Sequence, residues 1–164
     1  MDSSKAPLWS TLTATFFGIG NIRPGPGTWA SAATTLLWAL LAHALPQSVR
    51  AFVHVALAVV VTLIGIPAAT RVARALAKKD PGFVVIDEVA GQMIALTGTP
   101  LNWKYLLVGF ILFRSFDIVK PFPLRRLEKL PEGTGIMMDD VGAGLYALVL
   151  LQLFRYLIVR YVVS

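Results

Sequence analysis

The chain has 164 residues, of which 56 % are hydrophobic and only 15 % are charged, and its net charge is +6. Soluble domains usually contain about 25 % charged residues, so this composition predicts a membrane protein. The basic residues stand between apolar segments instead of forming a polar domain, which favours attraction to anionic lipid headgroups over nucleic acid binding. There is no cysteine, which excludes disulfides, thiolate nucleophiles and cysteine-bound zinc.

We expect a single membrane-embedded domain over residues 1–164, with a polar N-terminal segment at residues 1–15. Residues 1–9 contain no apolar core that ends in a small-residue cleavage site, so no removable signal peptide is predicted. The first spanning helix must then direct insertion.

A loop rich in glycine and proline follows, and no regular structure is expected from about Gly18 to Gly27. Thr28 is predicted to cap the N-terminus of the next helix. Backbone N–H groups where such a loop enters a helix can bind an anion, which makes Gly27 and Thr28 candidate phosphate-binding residues. A purely structural turn explains the same pattern equally well.

The remaining chain predicts an all-α polytopic bundle with about four to five apolar helices. The basic residues after the second segment mark the cytoplasmic side by the positive-inside rule. Arg155 and Arg160 then conflict with this rule at the outer end, so the last helix is expected to tilt, to extend its arginines to the interface, or to lie partly in it. Whether the third and fourth segments cross fully or dip in and return stays open. The five segments are residues 29–45, 51–70, 83–97, 104–119 and 141–163.

Five of the nine acidic residues form three short clusters, each at the end of an apolar segment. An ionised group there is costly unless it has a partner, water or a metal. The simple alternatives are helix-dipole stabilisation for the first cluster and an ion pair between Arg114 and the second. The predicted topology brings all three clusters to the cytoplasmic face. The clusters are Asp87-Glu88, Asp117 and Asp139-Asp140.

Small residues accompany two of the clusters. Gly91 lies about one helical turn beyond the first cluster, and residues 142–144 are Gly-Ala-Gly directly after the third. Because such residues let two helix backbones approach, they predict close helix contact beside the carboxylates.

Crowded carboxylates raise one another's pKa values unless a cation lies among them. Oxygen ligands without imidazole or thiolate select a hard ion such as Mg²⁺, which readily shares its coordination sphere with phosphate. Lys120, Arg125 and Arg126 fit as a clamp on phosphate oxygens. The motifs of cysteine, serine–histidine and aspartyl phosphatases are absent, so a metal-activated water is the favoured nucleophile, with direct attack by Asp117 or Asp139 as the alternative.

Three motifs resemble those of the phosphatidylglycerophosphatase A family: residues 86–93 (IDEVAGQM), 116–123 (FDIVKPFP) and 135–144 (GIMMDDVGAG). Residues 17–20 and 26–28 resemble the family's N-terminal block, and the blocks keep the family's order over roughly residues 16–150. Ala30 stands where the family often has glycine and Arg23 where proline is common, which affects contacts of the loop more than the reaction.

This resemblance implies a Mg²⁺-dependent enzyme of the bacterial inner membrane that removes the terminal phosphate of phosphatidylglycerophosphate to give phosphatidylglycerol. It implies a site that faces the cytoplasm, with Lys120 beside the acidic residues. The catalytic and metal-binding residues would be Asp87, Glu88, Asp117, Asp139 and Asp140.

Other classes of membrane protein remain as alternatives. A phospholipid headgroup transferase would use a similar metal site, but its usual Asp-x2-Asp-Gly-x2-Ala-Arg pattern is absent. A cation- or proton-coupled transporter should carry its charges near the membrane midplane, whereas these lie at segment ends. A structural subunit would tolerate alanine at the acidic clusters. The sequence makes no prediction of oligomeric state.

Overall fold

A computed structural model describes residues 6–162 of the chain, and these residues form helices without any β-strand. The predicted all-α class is therefore confirmed for this part of the chain. Residues 1–5 of the predicted polar N-terminal segment, and residue 163 at the end of the predicted last helix, lie outside the described residues. The helices are α1 Leu8–Ala14, α2 Pro26–Ala44, α3 Gln47–Ala75, α4 Ile86–Ala95, α5 Trp103–Val119, α6 Leu124–Leu127 and α7 Glu132–Val162, with a 3-10 turn at Ile19–Asn21.

Two of these helices are long and apolar enough to cross a membrane, at Gln47–Ala75 and Glu132–Tyr161. With a rise of 1.5 Å per residue, α3 is about 44 Å long, which exceeds the roughly 30 Å hydrocarbon thickness of a bilayer. Their outer faces expose large apolar side chains such as Phe52, Leu63 and Val149. Membrane association is thus plausible, and the larger number of spans stays a prediction.

The third predicted segment is shorter than expected. Helix α4 has ten residues, instead of the fifteen between residues 83 and 97, and is about 15 Å long. It cannot cross a bilayer by itself. Almost all of its side chains are buried, and it lies among α2, α3, α5 and α7 as the central helix of the bundle.

The start of α2 corrects the expectation for Thr28. The helix begins at Pro26, and Gly25 occupies the N-cap position with a φ of 69°, without any side-chain capping bond. Glycine tolerates this left-handed conformation, and proline at the first helical position has a φ already suited to a helix. Thr28 therefore lies inside the first turn, and the loop is not wholly irregular because it contains the 3-10 turn.

The last helix begins at Glu132, nine residues before the predicted start, so Asp139 and Asp140 lie within α7 and do not cap it. Gly133 and Gly135 lie in the first turn of this helix, although glycines at such spacing are also common in loops. In the structure, a Cβ on Gly133 would lie 2.2 Å from the carbonyl oxygen of Ile66 in α3. This glycine is thus required for close helix contact.

Helices α3 and α7 are joined where the first ends and the second begins. Arg74 donates to Glu132 through Nε to Oε1 at 2.6 Å and through Nη2 to Oε2 at 2.8 Å. The Gly133 N–H donates to Thr70 Oγ1 at 3.1 Å. The two helices consequently run antiparallel from this end of the bundle.

The predicted close contact beside the carboxylates is confirmed between α4 and α7. A Cβ on Gly144 would lie 2.4 Å from the Gly91 carbonyl oxygen, and a Cβ on Gly91 would lie 2.6 Å from the Asp140 carbonyl oxygen. Larger residues at these positions would force the backbones apart. The glycine pair therefore determines how near the acidic start of α4 lies to the acidic part of α7.

Candidate active site

The start of α4, the end of α5, the first third of α7 and the connection at residues 79–84 surround a cavity of about 120 Å³ that we call the acidic cavity. Two lysines, Lys79 and Lys120, also line it. In a chain of net charge +6, this concentration of negative groups needs cations to balance it. Seven of the nine acidic residues line the cavity: Asp80, Asp87, Glu88, Asp117, Glu128, Asp139 and Asp140.

Asp87, Glu88 and Asp140 form the tightest group in the acidic cavity, and we call them the carboxylate trio. Each offers one oxygen, and these oxygens all lie within 4.8 Å of one another. Asp140 is 3 % exposed and Asp87 is 9 % exposed. Burial raises the pKa of Asp87 well above its ordinary value, and the negative charges of Glu88 and Asp140 raise it further.

Each member of the trio also has a buried oxygen without a hydrogen-bond partner: Asp87 Oδ1, Glu88 Oε2 and Asp140 Oδ2. Buried polar atoms are normally paired, so these three oxygens indicate a missing partner. Three oxygen donors within this spacing fit a hard divalent cation, which would lower the electrostatic cost of the cluster.

Asp117, at the end of α5, pairs with an arginine on its own helix. Arg114 Nη1 lies 2.5 Å from Asp117 Oδ2 and 3.7 Å from Glu88 Oε1. The predicted i, i+3 ion pair is therefore present, and it lies in the wall of the acidic cavity. Arg114 holds two carboxylates next to each other, a role that its spacing from Asp117 indicated but that the sequence interpretation did not assign to the site.

Asp139 pairs with Lys120, whose Nζ lies 2.5 Å from Asp139 Oδ2. The other oxygen, Asp139 Oδ1, is buried and has no hydrogen-bond partner. Burial lowers the pKa of Lys120, but the hydrogen bond to Asp139 and the nearby negative charges outweigh it, so the pKa lies above its ordinary value. The ammonium therefore stays protonated and keeps further N–H donors for an anion.

The other predicted phosphate-binding residues lie at different distances from the acidic cavity. Gly27 packs directly against Glu88 of the trio, since a Cβ there would lie 1.9 Å from Glu88 Oε1. Thr28 is exposed, and its N–H donates to the Gly25 carbonyl at 2.9 Å. Arg125 lies on a neighbouring surface, where its Nη2 donates to the Val119 carbonyl at 3.3 Å.

Sequence reasoning missed Lys79, Asp80 and Glu128 as residues of the acidic cavity. Each lies in a polar connection between helices, where ionised groups are ordinary, so neither its type nor its spacing gave a signal. Of the five predicted acidic residues, the structure brings all five to one cavity. Asp87, Glu88 and Asp140 form the trio. Asp117 and Asp139 form close ion pairs with Arg114 and Lys120.

Fold and site together define a helical protein with two helices that could cross a membrane and a buried acidic site suited to a hard cation and a phosphate group. The sequence model described as "Phosphatidylglycerophosphatase A" matches residues 12–155. The chain belongs to the phosphatidylglycerophosphatase A family, as its motifs predicted. Membership also confirms the predicted class of enzyme, a phosphoric monoester hydrolase.

Relatives cover most of the chain. It is 41 % identical to the phosphatidylglycerophosphatase A of Haemophilus influenzae, over 88 % of each chain. It is 38 % identical to a putative phosphatidylinositol-3-phosphatase of Bacteroides thetaiotaomicron, over 90 % of this chain and 94 % of that one. It is 36 % identical to the phosphatidylglycerophosphatase A of Escherichia coli, over 81 % of this chain and 76 % of that one. No solved structure matches the chain.

Proposed function

We propose that this protein hydrolyses the terminal phosphate of phosphatidylglycerophosphate, giving phosphatidylglycerol and inorganic phosphate, in the bacterial inner membrane. Family membership and two relatives that carry this activity in their names support the substrate. The observation that carries the proposal is the carboxylate trio, in which one oxygen from each residue lies within 4.8 Å of the others. Each of the three side chains also has a buried oxygen without a hydrogen-bond partner.

The trio would hold Mg²⁺, since its donors are all carboxylate oxygens and its orphaned atoms are those that a hard cation would satisfy. Asp117 and Asp139 remain candidate ligands, although each is engaged by a cation of the chain. When bound, Mg²⁺ supplies Lewis acidity that polarises a phosphoryl oxygen and makes water more acidic.

The chain's own residues can bind the phosphate and move the proton. Lys120 has N–H donors for the phosphoryl oxygens, and Arg114 pairs closely with Asp117 and more loosely with Glu88. Asp139 Oδ1 can accept a proton from water, because Lys120 holds the other oxygen of the same carboxylate. The water oxygen forms a bond to phosphorus and the bond from phosphorus to the glycerol oxygen breaks. That oxygen takes up the proton that Asp139 accepted from the water, which returns the carboxylate to its starting state.

The surroundings of the acidic cavity suit a lipid headgroup. Four large aromatic side chains are exposed at this end of the bundle, as expected for a membrane–water interface: Trp9, Phe17, Trp29 and Phe122. Arg71 lies 4.9 Å from the ring centre of Trp9, and Arg126 lies 4.6 Å from that of Phe122. These basic residues support a cytoplasmic orientation of the site by the positive-inside rule.

The test is phosphate release by purified protein in mixed micelles that contain phosphatidylglycerophosphate. We expect release that requires Mg²⁺ and stops in excess chelator. Equal release with chelator would contradict the metal site, and no release under any divalent cation would contradict the reaction. A headgroup transferase would release no inorganic phosphate, and a transporter would not consume the lipid.

A second substrate is favoured by one relative, whose name assigns it a phosphatidylinositol-3-phosphatase activity. Both lipids present a phosphate monoester on an anionic headgroup, so the same site chemistry would serve either. Comparison of kcat/KM for the two lipids in identical micelles decides between them. We expect phosphatidylglycerophosphate to be the better substrate.

A further inference from the structure

A second cavity, of about 380 Å³, lies at the opposite end of the bundle, and we call it the arginine cavity. It is lined by the first residues of α3, the connection at residues 98–101 and Arg155 of α7. Arg155 is fifteen residues beyond Asp140 on the same helix, which places it about 22 Å away along the helix axis. The two cavities are therefore separate sites.

Arg50 and Arg155 give this cavity its charge. Arg50 Nε donates to the Leu45 carbonyl at 3.0 Å. Arg155 Nη1 donates to the Gly98 carbonyl at 3.0 Å and contacts Gln152 Oε1 at 3.3 Å. Each guanidinium is held at one edge by neutral oxygens, and the rest of its N–H groups are available to a ligand.

No acidic residue lines the arginine cavity, and within residues 6–162 neither guanidinium forms an ion pair. Both arginines are half-buried, so water screens their positive charges only in part. Arg50 also lies in the first turn of the 29-residue α3, where the helix dipole adds positive potential. Two cations and a positive helix end without a carboxylate indicate an anion site.

One further polar group in this cavity lacks a partner. Thr99 Oγ1 is buried without a hydrogen bond, and Thr99 lines the cavity together with the arginines. A phosphate group accepts hydrogen bonds from hydroxyl and guanidinium groups, and the planar fork of arginine matches phosphate oxygens well.

We propose that the arginine cavity binds the phosphate of an anionic phospholipid at the membrane surface opposite the acidic cavity. A lipid is favoured over free phosphate because Trp103 and Tyr156 are exposed at this end, as in an interfacial aromatic belt. The separation of about 22 Å along α7 is also comparable to the roughly 30 Å thickness of a bilayer core. This site accounts for Arg155, which contradicts the charge rule if it is only a topological signal.

The experiment measures binding of dihexanoyl phosphatidylserine, an anionic lipid that is not a product of the proposed reaction, to the full chain in detergent by titration calorimetry. Excess chelator is present to remove any metal-dependent binding at the acidic cavity, and inorganic phosphate is the parallel ligand. The test variant is Arg50→Gln/Arg155→Gln. The matched control, Lys104→Gln/Arg160→Gln, removes two positive charges from the same end but outside the cavity. We expect binding of the lipid to weaken by at least about tenfold in the test variant and by less than about twofold in the control.

Equal lipid binding by the wild type and the test variant would overturn the proposal. If inorganic phosphate binds as tightly as the lipid and with the same dependence on the arginines, the lipid assignment is overturned. Should the double variant fail to fold, Thr99→Val decides, because this hydroxyl has no hydrogen bond to lose. Severalfold weaker lipid binding by Thr99→Val supports the site, and unchanged binding contradicts it.

Discussion

Replacement of Gly27 by alanine should damage the active site while leaving the fold intact. The added methyl would lie 1.9 Å from Glu88 Oε1, whereas ordinary contact begins at 3.4 Å. The carboxylate must therefore move by about 1.5 Å. A flexible side chain can make this shift cheaply, and alanine is a better helix former than glycine, so stability should change little.

The expected cost falls on catalysis. Displacement of a group by about 1 Å can reduce turnover by about 100-fold, so Gly27→Ala should lose about two orders of magnitude in kcat. Phosphate release in mixed micelles measures the effect, and thermal unfolding of the same sample measures stability. Mg²⁺-dependent protection against unfolding should weaken in parallel, because Glu88 belongs to the proposed ligand set.

Gly82→Ala is the matched control. Gly82 lines the same cavity, but a Cβ there has no atom within 4 Å. This variant should retain turnover within about twofold of the wild type, as expected for a surface substitution away from special features. If Gly27→Ala is as active as Gly82→Ala, the position of Glu88 does not matter and the reasoning is refuted.

Three other variants test separate parts of the account. Asp140→Asn should reduce turnover by at least about 100-fold. Glu132→Gln, at an exposed carboxylate, is the control and should stay near normal. Equal activity of the two variants would contradict the role of Asp140 as a metal ligand. Lys120→Gln should lower kcat/KM by about tenfold or more while leaving Mg²⁺ binding in place, as measured by titration, since it removes a phosphate donor and no carboxylate. Gly144→Ala should reduce the free energy of unfolding by about 1–3 kcal/mol, because its methyl meets the Gly91 carbonyl; an unchanged melting temperature would argue against the close helix contact.

The sequence predicted that the acidic clusters lie together because each cluster is placed at the end of an apolar segment. An ionised residue at the end of an apolar segment is costly, and Asp87, Asp117 and Asp139 share that placement. Small residues predicted the close contact at Gly91 and Gly144 for a similar reason. These inferences needed only local chemistry and the assumption that the helices pack together.

The separate roles of the carboxylates within the site could not be predicted in the same way. Which carboxylates form the trio and which pair with Arg114 or Lys120 depends on helix rotation, which single-chain patterns do not determine. The predicted start of the last helix, at residue 141, was wrong, since glycines such as Gly133 and Gly135 suit both a loop and a tight helix contact. Tertiary packing against α3 decided between these possibilities.

The central claim is that Asp87, Glu88 and Asp140 together hold a divalent cation. Direct titration with Mn²⁺, followed by the electron paramagnetic resonance of the free ion, tests this without reference to turnover. Wild-type protein should bind at least one Mn²⁺ that Mg²⁺ displaces, and Asp87→Asn/Asp140→Asn should lose this binding. Undiminished Mn²⁺ binding by the double variant would contradict the account.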